Sequence, residues 1–128
     1  MIALVVDDDA ANRDLLCRML VRLGWLCDSV RDCDEACEAC SRARYDIVLL
    51  DLYMPGRDGY ESARAILEVY SAEERDRGSK AFKPVLVAVS GSEGLARGQE
   101  GLFDRFLQKP FSLEELKALL EDEKPRIP

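Results

Sequence analysis

Apolar runs too short for helices and apolar on both faces recur through this chain, each ending in a residue that carries charge or a hydroxyl. Ile2 to Val6 leads into Asp7, Asp8 and Asp9; Asp46 to Leu50 leads into Asp51; Pro84 to Val89 leads into Ser90. A strand apolar on both faces belongs in the middle of a parallel sheet. Between these runs the pattern changes to helical spacing. Leu16, Met19, Leu20 and Leu23 share a helix face closed by Gly24, and Asp32 or Asp34 opens a second helix over about residues 33–43. Trp25 to Val30 is a weaker strand candidate.

The remainder keeps the alternation. Met54-Pro55-Gly56-Arg57-Asp58-Gly59 is turn chemistry, followed by a helix from Gly59 to about Val69. Ser71 to Lys83 is polar and reads as an exposed helix end and loop, and Glu93 to Gln99 as a short helix. Phe103 to Leu107 is a strand ending at Lys109-Pro110. Ser112, with Glu115 three residues on, opens a last helix to about Glu121. About five strands and five helices in alternation define an α/β chain with a doubly wound parallel sheet. The crossovers are right-handed, and the ligand crevice lies at the carboxyl ends of the strands.

Those ends carry the chemistry. Asp7, Asp8, Asp51, Ser90 and Lys109 converge if the sheet is doubly wound. Clustered carboxylates resist ionising together unless a cation neutralises them. The chain has no histidine, so a hard oxygen-liking ion, Mg²⁺ with Mn²⁺ as a substitute, is the expected cofactor. Asp8 and Asp51 are the expected direct ligands, Asp7 a direct or water-mediated one, with a backbone carbonyl after Asp51 completing the set. Asp51 is then a carboxylate nucleophile for phosphoryl transfer, with Lys109 and Ser90 stabilising the phosphoryl oxygens. Any one of these acids alone reads as a helix N-cap, Asp9 and Asp7 especially.

Charge and cysteine usage narrow the class further. Eighteen basic against 25 acidic residues give a net charge of −7, which disfavours direct nucleic-acid binding and anionic membranes. No apolar run approaches the roughly 20 residues of a membrane span. Ile2 to Val6 reads as a strand rather than a signal peptide, so a cytoplasmic location is expected. The five cysteines do not resemble a disulfide framework. Cys33, Cys37 and Cys40 share one helical face and read as packing residues, with a redox pair or a metal site as alternatives. No glycine-rich phosphate loop follows the first strand, which argues against a nucleotide-binding enzyme.

Four segments carry a resemblance: Leu4-Val5-Val6-Asp7-Asp8-Asp9, Leu50-Asp51 through Gly59, Val89-Ser90-Gly91 and Lys109-Pro110-Phe111. In order and spacing they resemble the receiver domains of two-component response regulators over about residues 2–121. The resemblance implies a flavodoxin-like three-layer sandwich with strand order 2-1-3-4-5 and five helices, a receiver domain at 1–122 and a tail at 123–128. It places Asp51 at the phosphoryl acceptor, Asp8 and Asp7 at the metal acids, and Tyr53 at the position whose carbonyl ligates the metal. Lys109 falls on the lysine preceding a cis proline, and Gly59 on the glycine ending the acceptor loop. Ser90 and Phe106 fall on the switch positions, although Phe106 lacks the hydroxyl of the more familiar tyrosine.

The implied function is a phosphoryl-accepting switch that also catalyses its own slow dephosphorylation. A sensor histidine kinase or histidine phosphotransfer domain is the donor, and an output domain or protein effector the listener. In the family, the positions of Tyr53, beside the acceptor, and of Ser92, two residues past Ser90, tune hydrolysis, the bulk of Tyr53 slowing it. A binding module of the same fold that is never phosphorylated is the competing reading.

Overall fold

The computed structural model describes residues 1–52, 59–77, 83–91 and 102–122. The expectations for Tyr53, for the turn Met54 to Asp58, for Ser92, for the helix over Glu93 to Gln99 and for the tail lie outside these residues. Within them the order is β1 (Ile2–Val6), α1 (Ala10–Arg22), β2 (Leu26–Val30), α2 (Cys33–Arg42), β3 (Ile47–Asp51), α3 (Gly59–Arg77), β4 (Val85–Ser90), β5 (Arg105–Gln108) and α4 (Leu113–Asp122). All strand pairs are parallel and the sheet order is β2-β1-β3-β4-β5. The fold class and strand order are those expected; four helices stand among the described residues.

Alternation along each strand divides the core. Val48 and Leu50 of β3 face Leu4 and Val6 of β1 and the helices α2 and α3, with Ala36, Ile66 and Tyr70 completing that half. Ile47 and Leu49 point the other way, among Leu16 and Leu20 of α1 and Leu116 and Leu120 of α4. Every residue of β3 is buried, as a strand covered on both faces requires. β2 lies at the sheet edge and is largely exposed, which is why its sequence reads as the weaker strand.

Local chemistry fixes where each element starts. Asp9 caps α1, its Oδ1 accepting from the amides of Ala11 at 2.8 Å and Asn12 at 3.3 Å. Asp32, rather than Asp34, caps α2 by accepting from Glu35 N at 2.8 Å. The capping box of α4 is present: Ser112 Oγ accepts from Glu115 N at 3.1 Å, and Ser112 N donates to Glu115 Oε1 at 3.4 Å. Gly24 ends α1 with φ +91°, a left-handed conformation that suits glycine. At the amino ends of the strands, opposite the acids, Asp46 Oδ2 accepts from Ile2 N at 2.8 Å and Asp104 Oδ2 from Leu86 N at 2.9 Å. These two carboxylates satisfy strand amides and take no part in the acidic cluster.

Several boundaries differ from the sequence reading, and β5 begins at Arg105 rather than Phe103. Trp25 is not in a strand: its amide donates to Leu20 O at 3.0 Å, which keeps it with the end of α1, and its ring is buried in the α1 side of the core. The helix α3 runs on to Arg77, well past Val69. Its continuation is built from good helix formers such as Ala72, Glu73, Glu74 and Arg75, which sustain a helix without an apolar stripe in the sequence.

Candidate functional site

The carboxyl ends of β1, β3 and β4 lie side by side, because β3 is hydrogen-bonded to both neighbours. The pairing of Asp51 with Val89 sets the end of β3 level with that of β4 and leaves Ser90 one step beyond. Asp7 is held just past the end of β1 by its own amide, which donates to Val30 O at 3.1 Å, and by Arg13 Nη1, which donates to Asp7 O at 2.8 Å. Asp7 Oδ1 accepts from Asp9 N at 2.9 Å. The same short turn therefore fixes the site acid and delivers Asp9 to the helix cap.

The outcome is a compact anionic centre. Carboxylate oxygens of Asp7, Asp8 and Asp51 all lie within 4.8 Å of one another. Asp7 is buried, Asp51 is 9% exposed, and Asp8 reaches solvent. Lys109 Nζ stands 3.6 Å from Asp7 Oδ2 and 3.8 Å from Asp51 Oδ2. One ammonium against three carboxylates leaves an excess of negative charge in a partly desolvated pocket, a donor set of hard oxygens that fits a small divalent cation.

Lys109 reaches this point through a defined backbone. β5 runs beside β4 with Ser90 opposite Gln108, and Lys109 N donates to Ser90 O at 2.7 Å. The Lys109-Pro110 bond is cis, as the resemblance implies. Ser90, the last residue of β4, is buried at 7% exposure. Beyond Asp51 the chain folds back so that Gly59 N donates to Leu52 O at 2.9 Å. A Cβ at Gly59 would stand 2.6 Å from Leu52 Cα and 3.1 Å from Asp51 O. No side chain fits there, so the start of α3 can lie against the end of β3 only with glycine at this position.

Phe106 is set apart from the acids. It is 51% exposed on β5, opposite Ala88, and its ring lies 6.4 Å from that of Phe103. Phe103 is buried and makes an edge-on contact with Tyr60 at 6.0 Å. Phe103 thus links Tyr60, at the start of α3, with Phe106 on β5. The sequence reading singled out Phe106 and missed its two neighbours, since aromatic residues far apart in sequence carry no shared motif.

A second feature escaped the sequence reading. A cavity of about 370 Å³ opens beside the acidic centre, with Asp7, Asp51 and Lys109 at one end and Leu15, Leu16, Met19 and Phe111 along its walls. The signal available was Leu15, an apolar residue off the buried stripe of α1 and 60% exposed. Of the cysteines, Cys33 and Cys40 are buried and Cys37 half-buried, and none of the five is in a disulfide. Cys40 and Cys37 pack with the α2 side of the core, in keeping with a packing role.

Comparison with known proteins agrees with this geometry. A family model described as the response regulator receiver domain matches residues 3–121. The transcriptional regulatory protein ResD of Bacillus subtilis (strain 168) is 38% identical over 122 residues, covering 91% of this chain and 47% of ResD. The chain thus spans about half the length of that relative. Among solved structures, a CheY-like response regulator receiver domain from Methylobacillus flagellatus superposes with a TM-score of 0.82 at 28% identity, covering 97% of this chain and 98% of that one. The receiver domain of the sensor histidine kinase PA1611 from Pseudomonas aeruginosa PAO1 gives a TM-score of 0.73 at 27% identity, with 94% of each chain covered. It holds a magnesium ion coordinated in its active site cleft.

Proposed function

The chain belongs to the response regulator receiver domain family, and from that premise we propose that it is a phosphoryl-accepting switch whose acceptor is Asp51. The observation that carries the reading is the convergence of Asp7, Asp8 and Asp51 within 4.8 Å, with Lys109 Nζ beside two of them. Magnesium fits this donor set. Asp8, Asp51, the carbonyl of Tyr53 and Asp7, directly or through water, would hold it; when bound, it neutralises charge on the phosphoryl oxygens. Manganese would serve in its place.

The residues divide the remaining work. An Asp51 carboxylate oxygen attacks phosphorus in line with the leaving nitrogen of a phosphohistidine; the P–N bond breaks as the O–P bond forms. Lys109, released from part of its pairing with Asp51, follows the negative charge onto a phosphoryl oxygen. The Ser90 hydroxyl, at the adjacent strand end, donates to another. Burial of Asp7 and Asp51 excludes bulk water and strengthens each of these contacts. The acid centre contains no strong base, so the donor must already be activated, as a phosphoramidate is.

The signal then leaves through packing. Ser90 moves towards the phosphoryl group, and Phe106, now half in solvent, turns towards the space this vacates. The donor is a sensor histidine kinase or a histidine phosphotransfer domain. The listener is an output domain or a protein effector meeting the face around β5 and α4. The location is cytoplasmic; among the described residues no helix is long and apolar enough to cross a membrane.

Incubation with acetyl phosphate or phosphoramidate and Mg²⁺ tests the reading by intact mass. A gain of one phosphoryl group is expected in the native protein, with none in Asp51→Asn and none when the metal is chelated. Absence of the gain in the native protein, or its persistence in Asp51→Asn, overturns the assignment.

A further inference from the structure

The cavity beside the acidic centre has two unlike parts. Its volume of about 370 Å³ is that of a small-molecule site. Asp7, Asp51 and Lys109 give it a charged end. Apart from Asn12, every other lining side chain among the described residues is apolar. The walls are held before anything binds: Leu16 belongs to the buried core, and Met19 and Phe111 pack against the same core half. Leu15 also lines the cavity, yet more than half of it meets solvent. An apolar body lying along it removes that surface from water.

Charge at the acidic end selects the head group. Lys109 Nζ stands within 4 Å of both Asp7 Oδ2 and Asp51 Oδ2. One ammonium offsets one of these two carboxylates and leaves one negative charge. Asp8, the third acid of the centre, is not part of the lining. An anion is repelled here, a neutral ligand leaves the charge unmatched, and a monovalent cation matches it. Asp7 and Asp51 are largely withdrawn from solvent, where charge-assisted hydrogen bonds are strong.

We infer that this cavity is a binding site for a small primary ammonium ion with an aromatic or short alkyl body. Its head bonds to Asp7 and Asp51, and its body lies along Leu15, Leu16, Met19 and Phe111. The head takes carboxylate oxygens that a divalent cation also needs, so the two ligands exclude one another. On the reading of Asp51 as phosphoryl acceptor, on which this consequence rests, the ammonium ion holds the switch off by keeping out the metal.

The test titrates the metal-free protein with phenethylammonium and follows the protein's amide resonances by NMR. Saturable shifts are expected at Leu15, Leu16, Met19 and Phe111. Methylammonium, which is head alone, and phenethyl alcohol, which is body without charge, should each bind about tenfold more weakly or worse. Leu15→Asn should weaken phenethylammonium severalfold, and added Mg²⁺ should raise its apparent Kd in proportion. Lack of saturation below about 10 mM, shifts centred elsewhere, or equal binding of the alcohol overturns the site. Amine binding indifferent to Mg²⁺, in protein whose own Mg²⁺ shifts saturate, overturns the placement of the head. Intact mass after acetyl phosphate and Mg²⁺ separates this inference from the reading beneath it. A phosphoryl gain that persists at saturating amine overturns the off-switch. No gain even without amine overturns the acceptor reading and leaves the cavity to be decided by the titration.

Discussion

Gly59 shows how a residue with no functional group can be indispensable to a site. Its Cβ position is occupied by Leu52 Cα at 2.6 Å, main chain that cannot swing aside. Gly59→Ala must push α3 away from the end of β3 or strain both, and overpacking of this kind costs about 1–3 kcal/mol. A urea unfolding midpoint lowered accordingly is the expected outcome, with weaker phosphoryl uptake at Asp51 because the acceptor strand shifts with Leu52. Asp8 behaves in the opposite sense. It is the exposed member of three carboxylates confined within 4.8 Å. In metal-free buffer Asp8→Asn relieves repulsion and should raise stability by a few tenths to about 1 kcal/mol. If Mg²⁺ binds as proposed, the same change should remove most of the thermal stabilisation it would give, about 2.7 kcal/mol for the native protein at a hundredfold excess over the dissociation constant. Thermal scans with and without magnesium check both halves.

Elements here begin where a side chain takes up loose amides. Asp32 accepts from Glu35 N, whereas Asp34 lies inside the first turn of α2. Asp32→Ala should cost about 1 kcal/mol and Asp34→Ala much less, a difference readable in urea midpoints. The sequence left those two aspartates open because both stand before the same apolar face; only the backbone extension at Asp32, φ −151° and ψ 175°, decides between them. The capping box at Ser112 and the stop at Gly24 were legible because the chemistry is local. The end of α3 was not: a helix turn in water and a polar loop draw on the same residue types. Asp7, Asp8, Asp51 and Lys109 could be grouped from sequence since each follows an apolar strand. Their order across the sheet came from resemblance, not periodicity.

The whole molecule couples its stability to alkaline pH through groups that the fold keeps neutral. Burial raises the thiols of Cys27 and Cys40. Burial, then the hydroxyl's donation to Asp28 Oδ2 at 2.8 Å, raises Tyr45. The unfolded chain ionises its thiols from about pH 8.5 and its phenols from about pH 10. Above those values it binds fewer protons than the native state, so stability is complete below them and falls as pH rises. Urea midpoints from pH 7 to 11 should decline from about pH 8.5, and Tyr45→Phe should flatten the upper part of the decline. The division of the core by alternate strand residues has a larger consequence. Phe103 belongs to the α2 and α3 half, with Phe106 against it, while Cys17 and Cys27 belong to the α1 and α4 half. The sheet acts as a bulkhead between two chambers. The strand ends, where Asp7, Asp51 and Ser90 stand, are the one place from which both sides of that wall can be addressed at once.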